Sequence, residues 1–166
     1  MPTTRPFFAD SLADLVQMAE VSKISGLEFI RGMLDGRFPA PPIARTLDFM
    51  LDEVDEGRVV FTGTPRFDHY NPLGAVHGGW FGTLMDSCMA CAVQTCLPAG
   101  RGYTTLEYKV NIVRPAFEST GPVRAIGEAR HVGRRTAVAE GRMIDADGKL
   151  YATGSTTCIV MDLAGD

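Results

Sequence analysis

His77-Gly-Gly-Trp-Phe-Gly-Thr-Leu-Met-Asp-Ser-Cys-Met-Ala-Cys-Ala-Val-Gln-Thr-Cys-Leu97 is the stretch that decides how this chain folds. Pro98 and Gly100 stop it and Asn71-Pro-Leu-Gly-Ala-Val76 leads into it, so the run predicts one helix from about Gly79 to about Thr95. Apolar residues take nearly every side of that helix. Such a helix has no face suited to water and must be enclosed on most sides. Its length raises a membrane span, but Asp86 stands near the middle, with Thr83, Ser87, Gln94 and Thr95 besides. A carboxylate is costly in hydrocarbon, so burial within protein is the better reading.

The wrapper lies downstream. Leu106, Tyr108, Val110 and Ile112 alternate with Glu107, Lys109 and Asn111, the period of two of a half-buried strand. Residues 123–132, 136–143 and 150–161 follow as three further strands, divided by turn signals at Gly133 and Asp147-Gly148. Together the four read as an antiparallel meander. Upstream, residues 48–64 predict a hairpin turned near Glu56-Gly57, because Val59, Val60 and Phe61 are β-branched or aromatic. Earlier still, Leu12, Leu15, Val16 and Met18, then Leu27, Phe29, Ile30 and Leu34, carry helical spacing broken at Ser25-Gly26 and predict two short helices. The prolines of Gly36-Arg-Phe-Pro-Ala-Pro-Pro42 make an extended connector.

The expected fold class is therefore α+β: a curved antiparallel sheet wrapped around one long central helix. An N-terminal helical extension with its connector takes residues 1–42 and the main domain residues 43–166. Open sheet edges favour pairing across a two-fold axis, hence at least a dimer.

Composition narrows the function. The 166 residues carry 16 Lys+Arg against 20 Asp+Glu, a net charge of −4, and 45% are hydrophobic. That is one globular domain of ordinary size, with no basic run of the kind that grips nucleic acid. Residues 101–142 hold eight bases and four acids, a cationic surface fit for a few phosphates. The N-terminus shows no basic segment followed by an apolar core, so a cytoplasmic setting is expected, with Cys88, Cys91, Cys96 and Cys158 reduced. Cys88 and Cys91 match C-x-x-C, but they sit inside an apolar run and read as core rather than as metal ligands.

From Tyr70 to Gly100 the only charged residue is Asp86. An isolated carboxylate in an apolar helix is hard to ionise, and that cost moves its pKa toward the range useful to a base; the alternative is a structural carboxylate satisfied by core hydroxyls. Gly78 and Gly79 open the same helix, where free N–H groups and the helix dipole can hold a negative oxygen, although a plain glycine turn has the same sequence. Asn71 and His77 can orient a substrate or a water, or equally satisfy loop backbone. Gly78 and Asp86 are eight residues apart, about 12 Å along a helix at ~1.5 Å per residue. One helix cannot bring both to one carbonyl group, whereas two antiparallel helices across a dimer axis can.

The sequence closely resembles the hotdog-fold acyl-CoA thioesterases, in the PaaI-like branch related to the hydroxybenzoyl-CoA thioesterases. Carrying the resemblance over about residues 43–161 are Asn71-Pro-Leu-Gly-Ala-Val-His-Gly-Gly79, Asp86, Tyr103-Thr-Thr-Leu-Glu-Tyr-Lys-Val-Asn-Ile-Val-Arg-Pro115, Gly133-Arg-Arg135 and Asp145-Ala-Asp-Gly148. It implies Asp86 as nucleophile or general base and the Gly78 amide as donor to the thioester oxygen. Asn71 and His77 fall where relatives position the carbonyl or the attacking water, and Thr105 where they carry a hydroxyl beside that water. Gly79 and Thr104 fall among the substrate-binding positions, and His131, Gly133, Arg134 and Arg135 in the region bordering the coenzyme A nucleotide. Hydrolysis of an acyl-CoA to a free acid and coenzyme A is the activity implied. Neither metal nor cofactor is implied, and the expected assembly is a homo-oligomer with composite sites, a dimer or a dimer of dimers, with no nucleic-acid or membrane partner. The rivals are a hotdog enoyl-CoA hydratase or dehydratase, which His77 keeps open, and a non-catalytic acyl-CoA-binding protein. Residues 1–42 are expected to pack on the sheet or to cap an acyl tunnel shaped near Phe38 and its prolines.

Overall fold

The computed structural model describes residues 7–163; residues 1–6, part of the segment read for a secretory signal, lie outside them. The first expected helix is corrected: Leu12–Asp14 form a single 3-10 turn and Leu15 and Gln17 are extended, so that only Met18 of its four apolar residues starts α1 (Met18–Val21); α2 (Gly26–Leu34) and α3 (Pro42–Thr46) follow. The serine of the Ser25-Gly26 break is the cap of α2, its Oγ accepting from the Glu28 N–H at 3.2 Å. The proline connector does not stay extended to its end, since Pro42 supplies the first turn of α3, where a missing N–H costs nothing.

A hairpin of β1 (Phe49–Asp55) and β2 (Arg58–Gly63) follows. It turns at Gly57, whose φ of +75° suits glycine. The long helix α4 (Gly78–Thr95) comes next, then β3 (Arg101–Ile112), β4 (Val123–Val132), β5 (Thr136–Asp145) and β6 (Leu150–Asp162). All neighbours are antiparallel, in the order β1-β2-β4-β5-β6-β3. The expected four-strand meander is thus corrected: only β4, β5 and β6 form one, and β3 pairs with β6 at the far edge. The physical reason is the reach of α4. Strands β2 and β3 are four spacings apart, about 19 Å at ~4.8 Å each, and 18 helical residues span about 27 Å. The helix carries the chain across the concave face, and the return to β4 fills the place beside β2.

Three glycines seat the helix in the sheet. Gly127, Gly141 and Gly154 are directly paired across β4, β5 and β6. A Cβ on Gly127 would lie 2.2 Å from the Cys88 carbonyl oxygen; on Gly141 and Gly154 it would meet Met89 and Met85 at 2.9 and 3.1 Å. Side chains at these positions would push α4 off the sheet. With them absent, Leu84, Met85, Cys88, Met89, Ala92 and Val93 are fully buried. The far end is tied by Thr95, whose Oγ accepts from the Gly57 N–H at 2.8 Å.

The N-terminal extension packs through α2 against α4 and β1. Gly26 abuts the Gln94 backbone, and its N–H donates to the Leu97 carbonyl at 2.9 Å. Phe38 packs on Phe29 with ring centroids 5.6 Å apart.

Candidate active site

The helix is not apolar all round. Six residues of α4 escape full burial: Gly78, Gly79, Thr83, Asp86, Ser87 and Cys91. Spacings of three and four put them on one face, so the helix carries a narrow, open, polar stripe opposite its seat. Thr83 and Ser87 donate to the carbonyls of Gly79 and Thr83, at 3.0 and 2.7 Å, leaving Asp86 as the only charge on the stripe.

Strand β3 borders this stripe. Thr105 Oγ donates to the Asp86 carboxylate at 3.0 Å. A bulge at Leu106 makes this geometry: Thr105 pairs with Cys158 and Glu107 with Thr157, leaving Leu106 without a partner. Alternation therefore shifts by one residue. Leu106, expected on the buried face with Tyr108, Val110 and Ile112, is 59% exposed; Tyr108 and Ile112 are exposed as well, leaving only Val110 of the four half-buried, and Thr105 takes the inward place. Thr104, its neighbour, is exposed on the opposite face of β3. Burial pushes the Asp86 carboxyl above the ordinary carboxylate range, and the Thr105 hydroxyl partly offsets it. One turn on, Tyr103 hydrogen-bonds to the Cys91 thiol, which burial pushes up to about 12. Cys88 moves the same way for the same reason; neither thiol is a thiolate at neutral pH.

The start of α4 is built by local bonds. His77 is its cap, Nδ1 accepting from the Gly79 N–H at 2.9 Å, so that amide is already used. Asn71 Oδ1 accepts from the N–H groups of Leu73 and Ala75 at 2.9 and 3.3 Å, folding the loop ahead of the helix. Among the described residues the Gly78 N–H has no acceptor, and Gly78 is exposed. A Cβ on Gly78 would meet only Ile112, at 3.3 Å. The structure thus gathers Asn71, His77, Gly78 and Gly79 at one end and Asp86 with Thr105 in the middle, on one unbroken helix.

His131 and Gly133 lie at the end of β4 and in the turn after it, beside Arg134 and Arg135. With Arg101 the two arginines line an open hollow of about 510 Å³. Arg101 donates to the Arg134 carbonyl and pairs with Asp162 at 3.2 Å; its Nε is buried with no acceptor among the described residues. Arg134 and Arg135 have no acidic partner there, whereas Arg130 and Arg142 are tied to Glu128. Part of the local excess of base read from residues 101–142 lies in this hollow, which Asp162 also lines. Sequence reasoning missed Arg101, Tyr103, Ser87 and Cys91. The i, i+4 step of Thr83, Ser87 and Cys91 beside Asp86 was the available signal for the last two.

A sheet wrapped on one long helix is the hotdog architecture, and along its open stripe lie a carboxyl raised by burial, a hydroxyl bonded to it and a free helix-start amide. The sequence profile of the Thioesterase superfamily matches residues 73–152. A phenylacetic acid degradation-related protein of Ralstonia eutropha JMP134 is similar in structure, with a TM-score of 0.71 and 31% identity over 79% of this chain and 98% of that one. The chain is also similar to the 1,4-dihydroxy-2-naphthoyl-CoA hydrolase of Escherichia coli K12, 27% identical over 67% of this chain and 92% of the relative. A candidate esterase of Pseudomonas aeruginosa is 33% identical over 97 residues, 58% of this chain and 66% of the relative, just under two thirds of its length. The chain belongs to the thioesterase superfamily. Among the described residues no helix is long and apolar enough to cross a membrane.

Proposed function

We propose that the chain hydrolyses acyl-CoA thioesters to a free acid and coenzyme A, at composite sites formed between two copies. The observation that carries this reading is the Thr105–Asp86 contact of 3.0 Å on the open stripe of α4, with the Gly78 N–H free at the helix start. Along one helix these groups are about 12 Å apart. A second copy, its α4 antiparallel to the first, would set its Gly78 against this Asp86. The unpaired edge of β3, with Tyr108, Ile112 and Val113 exposed at 45–57%, suits that pairing.

In this arrangement the Gly78 amide, aided by the helix dipole, polarises the thioester carbonyl and holds the developing oxyanion. Asp86 either activates a water held with Thr105 or attacks the carbonyl itself; its raised pKa makes it the stronger base in either role. The free nitrogens of His77 and Asn71 remain to position substrate or water, and the hollow at Arg101, Arg134 and Arg135 receives the phosphates of the nucleotide. The use of His77 Nδ1 as a helix cap disfavours the hydratase alternative, which needs that imidazole for proton transfer.

Thiol release from acyl-CoAs, measured beside crotonyl-CoA hydration, tests the reading. Thiol release without hydration is expected. Hydration without thiol release would make it a hydratase, and acyl-CoA binding with no turnover a sensor.

A further inference from the structure

Residues 1–42 fall outside the stretch that the family profile matches. Their described part nevertheless lines one side of an open cavity whose floor belongs to the helix and strand of the candidate site. The cavity holds about 400 Å³, within the roughly 300–1,000 Å³ of small-molecule pockets. Val21, Ile30, Met33 and Pro41 form its roof, and Cys91 of α4 and Tyr103 of β3 its floor. Among the described residues none with a charged side chain lines it.

Both walls run straight from the Asp86–Thr105 pair. Cys91 stands five residues past Asp86, about 7.5 Å along the helix. Tyr103 stands two residues before Thr105 on the same face of β3, about 7 Å along the strand. A smaller hollow of about 70 Å³ shares Met33, Pro41 and Cys91 with the chamber and reaches Ser87, the residue next to Asp86. Met33 thus stands where the two meet.

Resting on the thioesterase reading above, we propose that residues 15–41 roof an acyl chamber that takes a straight apolar acyl chain of medium length, with Met33 setting how much of the chain is buried. The thioester lies at Asp86 and the chain extends over Cys91 and Tyr103 beneath α2. A binding surface without charge rewards added methylenes and offers nothing to a carboxylate or phosphate. The coenzyme A arm leaves in the other direction. The arginine hollow of the same chain flanks the same end of α4, beside Cys96 and Leu97, so the nucleotide would meet the corresponding hollow of the second copy.

The test is thiol release by the full chain from acetyl-, butyryl-, hexanoyl-, octanoyl-, decanoyl- and dodecanoyl-CoA. In the wild type kcat/KM should climb about fourfold per methylene buried, then level once the chamber is full. Met33→Trp should leave acetyl- and butyryl-CoA within about twofold while lowering decanoyl-CoA by about 30-fold, the loss of two to three methylenes' burial. Met33→Ala should move the plateau to longer chains. A flat wild-type series, an equal loss at every chain length in Met33→Trp, or an unmoved plateau in Met33→Ala would each overturn the chamber. If Met33→Trp fails to fold by circular dichroism, the Met33→Ala series decides. Absence of thiol release from every substrate would instead defeat the thioesterase reading. The chamber then stands or falls on calorimetry with a decanoyl thioether of coenzyme A, which the wild type should bind at least about tenfold more tightly than Met33→Trp.

Discussion

The two long faces of α4 share one backbone and one set of helical constraints, yet they are built for different ends. Its seated face meets a row of glycines, leaves Leu84, Met85, Cys88 and Met89 no contact with water, and carries no charge. Its open face carries Asp86, two hydroxyls bonded to the helix's own carbonyls, and glycines that keep the backbone bare. Close packing on one side fixes the helix so firmly that the other can hold an isolated carboxylate in a half-buried place. Substitutions on the seated face should therefore cost folding, and those on the open face should cost turnover.

Gly127→Val should have the largest effect. Its Cβ would fall inside the contact distance of the Cys88 carbonyl oxygen, where backbone cannot yield, so loss of soluble folded protein is expected, at a cost of about 3 kcal/mol or more. Circular dichroism and thermal melting check this. A folded, active Gly127→Val would mean that the glycine row does not seat the helix.

Asp86→Asn, nearly isosteric, should do the opposite. Turnover should fall at least about 100-fold with the fold intact. Stability should rise at neutral pH. The folded pKa of Asp86 is raised, so its contribution is fully present below the unfolded value and is lost as pH rises through the folded one. Removing the charge should raise the neutral-pH melting temperature, and the gain should vanish below the ordinary carboxylate range. A destabilised Asp86→Asn would make the carboxylate structural.

Thr105→Val should lower kcat by about tenfold, the scale of one hydrogen bond to a charged group. Because the hydroxyl lowers the Asp86 pKa, its loss should also move the acid limb of the pH–rate profile upward, and Thr105→Ser should restore it. An unmoved limb would separate Thr105 from the titrating group. The smallest effect is expected at Arg134→Ala and Arg135→Ala. These should raise KM for acyl-CoA about fivefold each, at the scale of one charge-assisted contact near the surface, with kcat unchanged. Acyl-pantetheine, which lacks the nucleotide, should be unaffected. Equal effects on both substrates would place the arginines elsewhere.

Much of this was readable from residues alone, for a reason that differs between regions. The helix was legible because Pro98 and Gly100 end it and apolar side chains fill it, and the end of β4 because Gly133 marks the turn after it. Asp86 stood out as the one charge in a long apolar stretch. What stayed hidden depends on contacts between distant segments. The pairing of β3 with β6 follows from the reach of α4 and leaves no local trace. The bulge at Leu106 inverts the side-chain alternation without any glycine to mark it, so Leu106 was read as inward and Thr105 had no derivation from periodicity; it came in through family resemblance. The row of Gly127, Gly141 and Gly154 becomes a row only once the register is known. Likewise, His77 and Asn71 bind their own loop and helix start, a use their residue types share with substrate positioning.

The central claim is that a working site needs the Gly78 end of one copy and Asp86 of another. Pairing an Asp86→Ala chain with a Gly78→Val chain tests it most directly, since a Cβ at Gly78 meets only the flexible end of Ile112, at 3.3 Å, and the variant should fold while blocking the amide. Each parent homodimer should be inactive. A mixed dimer then holds one site with both lesions and one with neither, so co-refolding should restore up to half the wild-type activity per mixed dimer. With mixed dimers shown to have formed, activity no higher than that of the parents would contradict the composite site.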